Sequence, residues 1–186
     1  MEETTEDNRP SLKDSVINNG LILGAIHSLA YVLLYFMIPS KITGFSYLFF
    51  IILLNIGYSI FRAVTYRSAI GGFLDFGDVF KLTFLTLLVS GLLGSLIVPI
   101  AISLVDSGFS EVMAQSQFDT SVYWAEKFGA PQETIDQMRE KMDMEELKKS
   151  YSLAKLAIGF GIAAIFYCIA GVIVGFIARK SQPEEM

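Results

Sequence analysis

Residues 79–105, VFKLTFLTLLVSGLLGSLIVPIAISLV, decide the fold class of this chain, because they are almost entirely apolar and carry a single charge, that of Lys81. About 20 such residues in an α-helix cross the hydrocarbon core of a bilayer. Pro99 lies near the far end of the stretch, where it predicts a kink. The stretch therefore predicts a transmembrane helix.

Three further segments have the same character. The four predicted spans cover residues 18–38, 45–63, 79–105 and 153–178. Only 18% of the chain is charged, against about a quarter of a typical soluble domain, and most of these charges lie outside the spans. The sequence predicts an all-α integral membrane protein, a four-helix bundle formed by residues 16–180.

The segments outside the spans are polar. Residues 1–15 are acidic and poor in apolar side chains, which predicts a disordered N-terminal tail without the features of a cleavable signal peptide. Residues 181–186 form a short C-terminal tail. The loop 106–152 is too long for a bare connection, and its segments 110–129 and 129–150 have helical character. We expect a helical extramembrane insertion between spans three and four.

Basic residues give the orientation of the spans. Both chain ends lie on one side, and each side carries seven Lys or Arg residues. Four on the terminal side lie close to span ends, where such charges weigh most: Arg62, Arg67, Arg179 and Lys180. We therefore predict that both termini are cytoplasmic, although Lys148, Lys149 and Lys155 favour the opposite orientation.

Two polar side chains inside the spans are candidate functional groups. His27, the one histidine, lies fourteen residues before Lys41 in the predicted turn, and Asn55 lies fourteen residues after it. Equal rise per residue predicts similar depth, so we expect both side chains to face the bundle interior and to be candidates for contact. His27 is either a proton-relay or ligand-contact group or a neutral hydrogen-bonded histidine of a packed bundle.

A glycine- and aspartate-rich link precedes the third span, in RSAIGGFLDFGDVFKLTF, residues 67–84. Asp75 and Asp78 near a helix start can accept hydrogen bonds from unpaired amides, and Gly71-Gly72 permits a tight turn. The alternative interpretation is a cation or ligand site at the cytoplasmic face, built from these aspartates and nearby Arg62 or Arg67.

Small residues recur at four-residue spacing in spans one and four. Gly20 and Gly24 form one pair, and Gly171 and Gly175 form the other. This spacing lets helix backbones approach closely in lipid. The sequence leaves open whether the contacts form within one chain or between chains.

The residue types present argue against several functions. One cysteine and one histidine offer too few ligands for a zinc site, so we expect no metal and no cofactor. No basic patch with interleaved aromatics suggests nucleic acid as a partner. An enzyme needs clustered acid, base or metal ligands, and only Asp75 and Asp78 approach that, so we expect a non-enzymatic protein.

The order of these parts resembles the bacterial membrane proteins of domain-of-unknown-function family 4199. The resemblance spans about residues 15–180 and is carried by three segments: NGLILGAIHSLAYVLLYF (19–36), RSAIGGFLDFGDVFKLTFLTLLVSGLLGSLI (67–97) and FGAPQETIDQMREKM (128–142). The Gly-Gly-Phe-x-Asp-Phe-Gly block at 71–77 is its most telling part. The resemblance implies a four-span protein of the inner membrane and no particular activity.

Two functions are compatible with this architecture. The first is interaction or assembly in the inner membrane, in which the outer helical loop contacts a membrane or periplasmic protein or a second copy of the chain. The alternative is a small transporter or channel subunit that uses His27 and Asn55, with Asp75 and Asp78 at a cytoplasmic mouth.

Overall fold

The structure is a computed structural model that describes residues 10–182. Its helices are α1 (Leu12–Met37), α2 (Phe45–Ala69), α3 (Phe76–Gly91), α4 (Val98–Val105), α5 (Phe109–Lys127), α6 (Gln132–Lys141), α7 (Met144–Lys149) and α8 (Leu153–Ala178). A π-helix, Leu92–Ile97, joins α3 to α4, and a 3₁₀ turn, Pro39–Lys41, follows α1. Four helical segments are long and apolar enough to cross a membrane: α1, α2, Phe76–Val105 and α8. The prediction of an all-α, four-span membrane protein is confirmed.

The first helix begins earlier than the sequence analysis predicted. Ser11 is its N-cap: the Ser11 Oγ accepts a hydrogen bond from the Asp14 amide at 3.0 Å and donates one to Asp14 Oδ2 at 2.7 Å. This reciprocal cap starts the helix at Leu12, so the prediction of a disordered tail was wrong for residues 12–15. Residues 1–9 of that tail and residues 183–186 of the C-terminal tail lie outside the described residues.

The third span is the centre of the bundle, and α1 packs along it through glycines. A Cβ added at Gly20 would lie 2.5 Å from Val89 Cβ, and one added at Gly24 would lie 2.8 Å from Leu93 Cδ1. Only glycine allows this approach. The spacing of Gly20 and Gly24 therefore serves packing within one chain.

The last helix, α8, packs on α3 in the same manner. A Cβ added at Gly171 would lie 3.0 Å from Phe80 Cδ2, and one added at Gly175 would lie 2.6 Å from Phe76 Cε2. Here each glycine makes room for an aromatic ring of α3. Both glycine pairs thus bind a flanking span to the central span.

The third span changes geometry before Pro99. Proline has no amide hydrogen, and its ring clashes with the carbonyl four residues earlier, that of Ser95. The backbone responds with the π-helix Leu92–Ile97, and the Ser95 hydroxyl donates to the Gly91 carbonyl at 2.6 Å. The distortion at Pro99 thus takes the form of a widened turn that begins seven residues before it.

The two ends of the bundle are closed differently. On the terminal side, where α1 starts and α8 ends, Leu74 and Lys180 exchange two backbone hydrogen bonds of 2.9 Å. On the opposite, insertion side, the buried side chains of Tyr35, Ile102 and Phe109 form a cluster beneath α5. The link before α3 and the insertion are therefore both fastened to the spans.

The insertion consists of three helices. The segment 110–129 forms most of α5 as predicted, whereas the segment 129–150 is divided into α6 and α7. The division falls at Asp143, whose Oδ1 accepts hydrogen bonds from the amides of Glu145 at 2.9 Å and Glu146 at 3.1 Å. This N-cap starts α7, so the single helix predicted for residues 129–150 is interrupted at Asp143.

Candidate functional site

A partly open cavity of about 340 Å³ lies between the spans and the insertion. The π-helix, α1, α8, the start of α2 and the insertion all contribute to its wall. Side chains with polar groups in the wall are His27, Tyr31, Thr43, Tyr47, Ser95, Tyr151 and Tyr167, and the others are apolar or glycine. None of these described wall residues is an acid, a lysine or an arginine. We call this space the bundle cavity.

His27 is the polar centre of the bundle cavity. The residue is 8% exposed, its Nδ1 lies 3.0 Å from Ser90 Oγ, and its Nε2 has no hydrogen-bond partner among the described residues. A neutral imidazole has one donor and one acceptor nitrogen. Ser90 uses one of them, and the other is buried without a partner among the described residues.

A glycine of the π-helix sets the position of His27. A Cβ added at Gly94 would lie 2.6 Å from His27 Cβ, so a larger residue would push α1 away from the π-helix of the third span. A π-helix is rare and frequently found at functional sites. Here the widened turn supplies both the close contact at Gly94 and part of the cavity wall.

Tyrosines connect the cavity wall to the insertion. The Tyr31 hydroxyl points to Met113 Sδ at 3.8 Å, and the Tyr151 hydroxyl donates to Gln117 Oε1 at 2.7 Å. Burial raises the pKa of Tyr151 to about 12, so it stays protonated and remains a donor at neutral pH. The sequence did not single out these tyrosines, because their grouping around one space depends on how the helices converge.

Asn55 is buried, as predicted, but the histidine does not use it as a partner. His27 lies on the same face of α1 as Gly20 and Gly24, and that face packs on α3, where Ser90 is the bonded residue. The Asn55 Oδ1 has no partner among the described residues. Similar depth in the membrane did not identify the partner of His27. The partner depends on which face of α1 packs on α3, and His27 shares that face with the two glycines.

Further polar side chains continue from the cavity toward the terminal side. Asn19 of α1, Ser59 of α2, and Thr83 and Thr86 of α3 are all at most 3% exposed, and each has a side-chain polar atom without a partner in the described chain. We call these four residues the inner polar set. The polar groups of three spans are therefore turned inward, although unpaired polar atoms in a membrane interior are costly.

Asp75 and Asp78 lie apart from these groups, at the start of α3. Asp75 occupies the N-cap position, but its side chain makes no capping hydrogen bond, which corrects the predicted cap. Asp78 pairs with Lys81 at 3.2 Å, with both side chains largely exposed. Among the described residues no group of three or more His, Cys, Asp or Glu side chains could hold a metal ion.

The turn predicted before α3 is confirmed. Gly71 and Gly72 have φ angles of 107° and 90°, a region that other residues rarely adopt. Arg67, one of the possible partners of the aspartates, instead donates from Nη1 to the Ala178 carbonyl at 2.7 Å. The basic side chain thus closes the end of α8.

Hydroxyl groups fasten the insertion over the cavity. The Thr43 Oγ1 lies 2.9 Å from Ser116 Oγ and 2.8 Å from Thr120 Oγ1. The Ser116 hydroxyl in turn donates to the Pro39 carbonyl at 2.7 Å. These bonds hold α5 on the turn between α1 and α2, so they fix the insertion over the ends of the spans.

The comparisons with known proteins give one match. The family model described as "Protein of unknown function (DUF4199)" matches residues 18–180. No curated protein and no solved structure matches the chain. The match covers all four spans and the insertion, and it agrees with the resemblance carried by residues 71–77. This four-span membrane protein therefore belongs to the DUF4199 family.

Proposed function

We propose that the protein binds a small uncharged molecule in the bundle cavity and acts as a small transporter or channel subunit. The observation that supports this most directly is His27, which belongs to the cavity wall, is held by Ser90 and has an unpartnered Nε2. An unpaired polar atom in a membrane interior costs free energy. In this proposal a small rotation of the ring exposes the buried Nε2 to the cavity, and a bound molecule with a hydrogen-bonding group removes that cost.

The cavity wall indicates the class of molecule. Its volume of about 340 Å³ is within the usual range for small-molecule sites. Aliphatic and aromatic surfaces favour an apolar body, while His27 and the tyrosine hydroxyls favour one or two polar groups. A charged ligand would be desolvated with no opposite charge beside it, so the ligand of this proposal is neutral.

The inner polar set supports a path rather than a closed site. Asn19, Ser59 and Thr83 extend the polar surface of the bundle toward Arg62, whose Nε is also buried and without a partner in the described chain. Asp75 and Asp78 lie on the same terminal side, where such a path would open. In this proposal that side faces the cytoplasm and the membrane is the inner membrane.

Mass spectrometry of the purified protein tests the binding step. The full chain is purified in mild detergent, and the small molecules that it releases on denaturation are compared between three proteins. His27→Phe keeps an aromatic ring, although a larger one, but removes both nitrogens, and Ile165→Phe changes an exposed residue of α8. We expect the wild type and Ile165→Phe to release the same molecule, and His27→Phe to lose it. Identical profiles for all three would contradict the proposal.

Flux measurements test the transport step. The identified molecule is placed inside proteoliposomes, and its release is followed across pH for the wild type and for His27→Ala. We expect flux in the wild type and a strong loss in the variant. A wild type that binds the molecule but shows no flux at any pH would exclude transport and leave the binding site intact.

Interaction through the insertion is the second candidate function, supported by α6. Apart from buried Ile135 and half-buried Met138, this helix is exposed, while α5 beneath it is fixed to the spans by hydroxyl groups. Such a rigid polar platform suits a non-enzymatic role in which a membrane or periplasmic protein, or a second copy of the chain, binds.

Replacing residues 132–141 with a glycine–serine linker tests the second candidate. The replacement spares α5 and therefore the core residues Phe109 and Met113. Cross-linking in native membranes should lose specific adducts in the variant and keep them in the wild type. An unchanged adduct profile would count against this role.

A further inference from the structure

A cleft of about 480 Å³ lies on the outer surface, between α5 and the turn that joins α1 to α2. It is separate from the bundle cavity. Six side chains with large apolar or charged groups line it: Lys41, Phe45, Asp119, Tyr123, Trp124 and Lys127. We call it the surface cleft.

The aromatic wall of the surface cleft continues the surface that faces lipid. Phe45 is the first residue of α2 and packs edge-on against Trp124, with ring centroids 5.2 Å apart. Below it on α2, Leu48 and Phe49 are exposed, as expected for side chains that meet acyl chains. Above it, Phe128 stacks on Trp124 and is itself 80% exposed. The rings therefore lie at the boundary between acyl chains and headgroups, where tryptophan and tyrosine are enriched.

Two lysines give the cleft a positive charge. The Lys127 Nζ lies 4.8 Å from the centroid of Trp124, and Lys41 belongs to the opposite wall. Within residues 10–182 neither lysine has an ion-pair partner. Asp119 is the one acidic residue of the wall, and its Oδ1 accepts a hydrogen bond from Gln115 Nε2 at 2.8 Å. The cleft thus has two cations and one carboxylate.

From this arrangement we propose that the surface cleft binds the headgroup of an anionic phospholipid. Lys41 and Lys127 attract the phosphate, and the rings of Phe45 and Trp124 pack against the glycerol and the first part of the acyl chains. A lipid is favoured over a protein partner because the rings are continuous with the lipid-facing surface of α2. This lipid site does not depend on the bundle cavity. The bound lipid anchors α5 in the headgroup layer.

Trp124 is the chain's single tryptophan, so its fluorescence reports this site directly. The full-length protein is reconstituted in vesicles that contain brominated lipid, which quenches tryptophan on contact. We compare brominated phosphatidylglycerol with brominated phosphatidylcholine at the same mole fraction. We expect blue-shifted emission, loss of emission with both lipids, and a greater loss with the anionic lipid. The difference should shrink at high salt, because exposed charges are screened.

Charge variants separate the anionic headgroup from membrane contact in general. Lys41→Gln combined with Lys127→Gln should make quenching by the two lipids equal, and Lys141→Gln on exposed α6 should keep the difference. Equal quenching by both lipids in the wild type would overturn the proposal. Red-shifted emission quenched by aqueous iodide and not by brominated lipid would also overturn it, since Trp124 would then face water or the site of a protein partner.

Discussion

His27 and Ser90 join the first span to the third span directly before the π-helix begins. Their contact, 3.0 Å between Nδ1 and Oγ, is between two buried side chains that are 63 residues apart in the chain. It fixes the orientation of the imidazole at the wall of the bundle cavity. The contact therefore joins α1 to α3 and leaves Nε2 buried without a partner among the described residues.

Ser90→Ala should destabilise the bundle, because it leaves both ring nitrogens of His27 without a partner among the described residues. Hydrogen bonds between membrane helices contribute about 0.6 kcal/mol on average, and an unsatisfied buried group costs about 1–3 kcal/mol. We expect the free energy of unfolding, measured by reversible unfolding in detergent, to fall by about 0.6 to 3 kcal/mol. Ser68→Ala is the matched control, since its hydroxyl bonds only to the Val64 carbonyl of its own helix at an exposed position. Equal stability of the two variants would show that the contact between His27 and Ser90 does not stabilise the bundle.

The number and type of the spans could be predicted from the sequence because they depend on local properties. Long apolar runs and the placement of charges predicted all four membrane helices, and the glycine turn at 71–72 followed from residue type. Helix starts were less accurate. The beginning of α1 depends on one reciprocal cap at Ser11, and the start of α7 depends on Asp143. Such caps involve single side chains and are weak signals in a polar segment.

Gly94→Ala should separate α1 from α3 at the cavity, because the new Cβ would lie 2.6 Å from His27 Cβ. Overpacking of this kind costs about 1–3 kcal/mol. Gly161→Ala is a sharp control: no atom lies within 4 Å of its added Cβ, and alanine is the better helix former by about 1 kcal/mol. We expect a lower unfolding temperature for the first variant and an equal or higher one for the second. The opposite order would show that α1 and α3 do not approach at Gly94.

The bundle cavity could not be predicted from the sequence, although His27, one of its wall residues, was a predicted candidate. His27 stood out as the single histidine within a span. Its partner Ser90 did not, because serine is common in membrane helices and the pairing depends on which face of α1 the glycines turn toward α3. The tyrosines come from separate segments of the chain, and only the packed helices bring Tyr31 and Tyr167 to one wall.

Thr43→Val should loosen the insertion without unfolding the spans. Valine has nearly the same shape but loses the contacts to Ser116 and Thr120. We expect faster hydrogen exchange in α5 and unchanged exchange in α3. Thr65→Val provides the control, because the Thr65 hydroxyl bonds within α2 to the Phe61 carbonyl. If α5 exchanges equally in both variants, the hydroxyl groups do not hold the insertion.

Asp106 should make the insertion side of the bundle sensitive to acid. Its Oδ2 accepts from the Tyr35 hydroxyl at 2.7 Å and its Oδ1 from the Gly108 amide at 2.8 Å. These two hydrogen bonds, that of Tyr35 first, lower the pKa of Asp106 below its ordinary value. The folded protein therefore binds fewer protons here than the unfolded chain, and stability falls as the pH falls.

The comparison of wild type with Asp106→Asn isolates this effect. Above the ordinary aspartate pKa of about 3.9 the carboxylate contributes its full stabilisation, so the unfolding temperatures should differ by a constant amount between neutral pH and about 5. Below that range the difference should shrink, because the aspartate of the unfolded chain binds its proton first and Asp106 of the folded protein binds one only at lower pH. A difference that grows on acidification would contradict the direction of the pKa shift.

The prediction that both termini are cytoplasmic can be tested by the residues that a membrane-impermeant maleimide reaches. In a Cys168→Ser background, Gln137→Cys lies on exposed α6 and Gln182→Cys lies beyond the end of α8. If the insertion is outside, intact cells with a permeable outer membrane should be labelled at position 137, and position 182 should be labelled only after the inner membrane is opened. The reverse pattern would show that Lys148, Lys149 and Lys155 determine the orientation. The insertion, its surface cleft and the covered side of the bundle cavity would then face the cytoplasm, and a molecule entering from outside would meet the inner polar set first.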